Sequence, residues 1–400
     1  MSAVGTGGPR SGDAGQPATE LTVSTASTPP LVRRSGLRAP GPLAGSTLLR
    51  HAVVALVGAV VLWLVTGQAS DYDNTRLTTL AAYVCVVAGL TVLTGYNGQV
   101  SLGHGALVAV GAYTVALLQR HWRGEGVRGQ WVLVTSLIAA VLVAAAVGAV
   151  VGAAAARLRG PYLAGATLSL GIALPSVAVV FASTFGGEQG LTVPVERVPR
   201  SLKADYSVQR WQAVMALLAA VLLLLLLANL CRSRIGRGWR AVRDDEVAAR
   251  LSGLHVARVQ VQAFTVSAGC AGLAGGLFSS VVSTSASPSK FDFQLSFYLL
   301  AAIVLGGLGS LAGAVWGSLL LVLLPSYADT LAGKLDVSPA VAEHLRGNLA
   351  LAVFGLTLIL VMLLAPGGIQ GVLRRLAAPV RTQLARSRNG TDPRPAAAGR

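Results

Sequence analysis

Apolar residues in this chain come in long unbroken runs, separated by short clusters of charge, glycine and serine. The runs fall at about 50–66, 77–94, 104–118, 131–156, 162–183, 210–231, 261–284, 295–308, 311–325 and 347–365. Alternation with a period of two is absent. Backbone polar groups in hydrocarbon must find partners within their own segment, so the runs predict helices and not barrel strands. Fifteen helical residues rise about 22 Å against a hydrocarbon core of about 30 Å. The runs 104–118, 295–308 and 311–325 are therefore expected to be half-helices, hairpin arms or tightly packed inner helices. Short glycine-interrupted segments of this kind point to a transport pathway. A loose likeness links Ser101-Leu-Gly-His-Gly-Ala106 with Ser310-Leu-Ala-Gly-Ala314.

Composition supports the membrane reading. The 400 residues are 53% hydrophobic and 12% charged, with a mean hydropathy of +0.64. Soluble domains carry about 25% charged residues, so a water-facing surface cannot be built and a soluble enzyme or a disordered chain is excluded. The fold class is an all-α polytopic membrane protein with about ten transmembrane or half-membrane helices. Residues 1–49 are rich in Gly, Ser, Thr and Pro and read as a disordered cytoplasmic tail. The first apolar run lies too far from Met1 for a cleaved signal peptide. Residues 50–366 form the transmembrane domain, with a cytoplasmic loop at 232–260, and 367–400 form a basic cytoplasmic tail.

Charge placement sets the orientation. In a ten-span arrangement, 21 of the 32 Lys and Arg residues fall on the side of the termini and 11 on the other. By the positive-inside rule both termini are cytoplasmic. The net charge of +16 is therefore a topology signal, and nucleic acid is not an expected partner. The basic residues are 29 Arg against 3 Lys, the bias of a GC-rich coding genome, which fits a bacterial plasma (inner) membrane. Cys85, Cys231 and Cys270 lie in or at the ends of apolar runs without a C-x-x-C pair, so neither a disulfide framework nor a metal site is indicated.

Three stretches carry candidate chemistry. In Leu93-Thr-Gly-Tyr-Asn-Gly-Gln-Val-Ser-Leu-Gly-His-Gly-Ala106, the residues Tyr96, Asn97, Gln99, Ser101 and His104 are candidates for the path or its gate, because irregular backbone at membrane depth must line protein or a water-filled cavity. A tight helix–helix turn with capping side chains is the competing reading, and for His104 a packing histidine is favoured over a proton relay. In Leu305-Gly-Gly-Leu-Gly-Ser-Leu-Ala-Gly-Ala-Val-Trp-Gly317, close helix packing is the main role, with Gly306, Gly307, Gly309 and Ser310 as gate candidates. The third stretch runs from Gly236 to Gly253. Helix is expected from Trp239 to Leu251 with Gly253 at C′, and Val247, Ala248, Leu251 and Leu254 make an apolar edge among mixed charges, the pattern of a protein-docking helix.

Absent features narrow the energy source. The three lysines, Lys203, Lys290 and Lys334, precede Ala, Phe and Leu, so the chain has no Walker A site. Ion-coupled carriers need intramembrane ionisable groups, and apart from His104 the apolar runs hold almost none. A permease driven by a separate ATP-hydrolysing subunit fits these absences; a motor-independent transporter or channel is the alternative.

These stretches, with Arg157-Leu-Arg-Gly-Pro-Tyr-Leu-Ala164 and the closing Ala365-Pro-Gly-Gly-Ile369, resemble in order the LivM-type permease subunit of branched-chain amino acid ABC importers, over roughly residues 75–370. The resemblance implies an importer permease of the branched-chain amino acid/ribose type, with no catalytic, cofactor or metal residues of its own. ATP would be hydrolysed by partner subunits docked on a coupling helix containing Trp239, Arg240, Arg243, Asp244, Asp245, Glu246, Val247, Leu251 and Gly253. It further implies a second permease subunit and an extracytoplasmic solute-binding protein facing the external loop 185–210, with membrane lipid around the bundle. Urea, amides, aromatic acids or sugars are alternative solutes among relatives.

Overall fold

The computed structural model describes residues 47–127, 129–158, 161–194, 198–199, 206–334, 355–365 and 367–376. The N-terminal tail up to residue 46, residues 347–354 of the last apolar run and the C-terminal stretch 377–400 lie outside the described residues.

Every predicted run that is described is helical. The elements are α1 (Thr47–Gln68), α2 (Asp71–Tyr96, its last turn 91–96 π-helical), α3 (His104–Gly124), α4 (Gln130–Ala155), α5 (Pro161–Val180) and α6 (Val208–Arg232). Next come α7 (Arg234–Asp244), α8 (Glu246–Leu251), α9 (Val256–Val282, ending in a π turn), α10 (Phe293–Gly306) and α11 (Leu311–Lys334). Residues 355–364 form α12 and 368–376 form α13. Among the described residues, seven helices are long and apolar enough to cross a membrane, and two shorter apolar helices cover 53–68 and 311–327. With its 21 residues, α3 brings the set to the expected ten or so.

Two of the three short runs are longer than expected. The run at 104–118 continues through polar residues to Gly124, and that at 311–325 continues through Pro325 to Lys334. Amphipathic ends do not break a helix, so apolar length underestimated both. The third run remains short, since α10 has 14 residues.

The buried share of each helix separates an inner pair from outer ones. The most apolar windows of α2 and α9 are 72% buried, against 22% for α4 and α5. Small residues let backbones approach closely, which matters because lipid provides no hydrophobic drive between helices. A Cβ on Gly148 would meet the Ala268 side chain, one on Gly272 the Ala140 carbonyl, and one on Gly111 the Gly272 backbone. The pairs Gly148/Ala268, Gly152/Phe264 and Ala140/Gly272 show that α4 and α9 run antiparallel. His104/Ser267, Gly111/Gly272 and Val115/Gly276 show that α3 and α9 run the same way.

One end of the bundle carries aromatic and acidic side chains. Trp63 Nε1 donates to the Tyr206 hydroxyl, Ser207 Oγ to Asp71 and Trp211 Nε1 to Gln130. A short antiparallel pair, Leu191–Thr192 with Ser285–Ala286, closes the connecting loops there. The opposite end gathers the 95–103 turn, the arginine-rich segment 232–256 and the 307–310 turn.

Candidate translocation and coupling site

Helix α3 begins inside the bundle. His104 bonds Ser267, which lies 11 residues into α9, so the α3 N-terminus sits about 16 Å along α9 from its inner end. Residues 99–102 run from the end of α2 to that depth outside the helical ladder, so polar groups there and in the first turn of α3 take partners from other helices. Three hydroxyls supply them. Leu102 N–H donates to Thr167 Oγ1 of α5 (3.0 Å), Gly105 N–H to Ser296 Oγ of α10 (2.9 Å), and Ser267 of α9 meets His104 Nε2 (2.8 Å).

The Ser267 hydroxyl donates its own proton to the Gly89 carbonyl (2.7 Å), so its oxygen must accept from Nε2–H; Nδ1 then accepts from Ser101 Oγ at 3.2 Å. His104 is fully buried and both ring nitrogens are hydrogen-bonded. Asn97 and Gln99 differ. Both are buried, yet neither atom of the Asn97 amide, nor Gln99 Oε1, has a hydrogen-bond partner. Tyr96 is half-buried with its hydroxyl against the Cys231 thiol.

The two glycine-rich turns touch. A Cβ on Gly95 would run into the Gly309 backbone, so only glycine permits this approach. Gly98 (φ 78°), Gly307 (φ 114°) and Gly309 (φ 75°) occupy left-handed or extended positive-φ conformations that other residues avoid. Gly306 packs on the Gly313 backbone. Ser310 Oγ accepts from Arg374 of α13 at 3.1 Å. The likeness between 101–106 and 310–314 thus marks two similar helix starts, those of α3 and α11.

In the segment 232–256 the expected single helix from Trp239 to Leu251 is two. The chain turns extended at Asp245 (φ −160°, ψ 111°), whose carboxylate accepts from the Val247 and Ala248 amides and caps α8. Aspartate's strength as an N-cap outweighed the helix propensity around it. Gly253 (φ 84°) stands at C′ as expected, with Gly253 N–H to Arg250 O and Leu254 N–H to Ala249 O completing a Schellman motif.

The two helices place their large apolar side chains differently. In α7, Trp239 is fully buried, and Arg240 donates to the carbonyls of Gly236 and Cys231. Arg243 Nη1 donates to the Gly95 carbonyl at 2.7 Å, and its other nitrogens bind Asp244. In α8, Glu246 accepts from Gln260 and pairs with Arg250, while Val247 and Leu251 are 66% and 86% exposed.

The structure thus brings Gly95 to Gly98, Gly309, Ser310 and Arg243 into one cluster and leaves Val247 and Leu251 outside it. Thr167, Ser267, Ser296 and Arg374 escaped sequence reasoning. Single hydroxyls inside apolar runs were the available signal for the first three. The exposed residues of α5 mix small and hydroxylated ones, Gly165, Ala166, Ser169, Ala173 and Ser176, with the large apolar Tyr162, Ile172, Val177 and Val180. Among the described residues no group of three metal-ligating side chains forms.

A many-helix bundle with membrane-depth breaks at α3 and α10, and with a capped helix projecting from one end, defines a polytopic transport permease. The chain belongs to the branched-chain amino acid transport system / permease component family, whose model matches residues 74–362. It is 36% identical over 300 residues to the high-affinity branched-chain amino acid transport system permease protein LivM of Escherichia coli (strain K12), covering 70% of this chain and 68% of that one. The LivM protein of Salmonella typhimurium is 33% identical over the same shares. The LivH permease of Salmonella typhimurium is 27% identical over 301 residues, 73% of this chain and 92% of that protein. No solved structure matches the chain.

Proposed function

We propose that this chain is the LivM-like half of a permease pair that imports branched-chain or similar hydrophobic amino acids across the bacterial inner membrane. Transport is powered by ATP-binding subunits docked on α8. The observation that carries the reading is the exposed pair Val247 and Leu251, on a six-residue helix fixed at both ends by the Asp245 cap and the Gly253 turn. A large apolar pair held rigidly in water, on the arginine-rich end of a membrane bundle, suits burial in a partner protein.

The arginine count supports a matching orientation, with the segment 232–256, α13 and the termini on the cytoplasmic side and the loops at 182–194 and 283–292 toward the solute-binding protein. Likeness to both LivM and LivH supports pairing with a second permease. Alternating access would work on the turns 95–103 and 307–310, whose glycines allow the backbone to be repositioned.

Leu251→Asp tests the docking site. Membrane insertion is expected to be unchanged, while recovery of the ATP-binding subunits in a pull-down falls about tenfold or more, the scale of losing a buried interface anchor. Undiminished recovery would remove the assignment. Asp245→Lys is a poorer probe, because it also unseats the cap.

A further inference from the structure

The sequence suggested that all of 239–251 meets the ATP-binding partner, but Arg243 points the other way. Its Nη1 donates to the Gly95 carbonyl (2.7 Å). Its aliphatic stem lies over Gly98, where an added Cβ would come within 2.8 Å of Arg243 Cγ; one on Gly309 would come within 3.6 Å of Nη1. Gly95 itself lies against the Gly309 backbone. One side chain therefore touches the ends of α2 and of the α10–α11 hairpin. It extends from the last turn of α7, immediately before the extended Asp245 that separates α7 from the docking helix.

The chemistry suits a transmitted pull. The Gly95 carbonyl is among the last at the C-terminal end of α2, where the helix dipole is negative and intrahelical donors run out. A guanidinium forms a short charge-assisted bond there. Asp244 accepts from Nε and Nη2 (3.0 and 2.8 Å) and fixes the guanidinium plane. The last turn of α2 is π-helical, a form that absorbs local register changes and recurs at functional sites.

We propose that Arg243 is the positioning residue that transmits displacement of α8 to the inner turns 95–98 and 307–310, and that it couples ATP-driven motion to opening of the path. This rests on the permease reading above and adds to it a division of labour: α8 docks, α7 transmits.

The test uses the complete importer in proteoliposomes, with R243A and R243K compared with wild type for solute moved per ATP hydrolysed. R243A is expected to keep its ATP-binding subunits and hydrolyse ATP within about twofold of wild type, while solute moved per ATP falls about tenfold, the scale of one charge-assisted hydrogen bond. R243K keeps a single donor and should restore most of the ratio. An unchanged ratio, or transport and hydrolysis falling in parallel with no rescue by lysine, overturns the proposal. If R243A does not accumulate, the same two results decide on R243Q. Leu251→Asp run alongside separates the two ideas: loss of the ATP-binding subunits from that variant with an unchanged ratio in R243A keeps the docking site and removes the transmission role.

Discussion

His104 shows how a membrane interior accommodates a titratable side chain. With Ser101 donating to Nδ1 and Nε2–H donating to Ser267, every polar atom of the neutral ring is used, and the relay ends on the Gly89 carbonyl. His104→Ala should therefore lower the thermal stability of the purified protein, by about 1–3 kcal/mol for hydroxyls left without their partner. Transport by the surviving folded fraction should keep its pH dependence; a flattened pH profile of uptake in that variant would make the histidine a proton carrier. The residue types of this turn were legible in the sequence, but their partners were not. Thr167, Ser267 and Ser296 lie 65, 163 and 191 residues from the groups they bond, and only the packed bundle brings them there.

At the scale of elements, apolar runs located the helices but not their ends, because α3 and α11 continue past their apolar runs through mixed polar and apolar residues to Gly124 and Lys334. The break at Asp245 lay within reach of sequence reasoning, since aspartate ahead of a short helix is a strong cap. What propensity could not show is that the break separates a helix packed through Trp239 and Val242 from one whose large apolar side chains face outward. Helix directions give a direct prediction. Glu125 just beyond α3 and Arg250 in α8 are exposed at opposite ends of the bundle, with side chains 60% and 52% accessible, whereas Cys85, Cys231 and Cys270 are buried and should give little background. In intact cells a membrane-impermeant thiol reagent should label Glu125→Cys and spare Arg250→Cys. Labelling of position 250 from outside would reverse the orientation.

For the whole molecule, the distribution of charge and of small residues tells one story. The interior holds close-packed glycine and alanine contacts along α3, α4 and α9, and hydroxyls at the breaks, while arginines gather at the end where α7 and α13 meet the two glycine turns. Among the described residues no carboxylate is buried in the interior, which supports the proposal that energy enters from a partner at that end. The most direct measurement of this claim is uptake of leucine, isoleucine or valine into proteoliposomes holding this chain with its partner permease and the solute-binding protein, with and without the ATP-binding subunits and ATP. Uptake is predicted with the full set and ATP, and at background when either the ATP-binding subunits or ATP is left out. Sustained uptake by the permeases alone would contradict an externally driven importer and return the chain to the class of motor-independent transporters and channels.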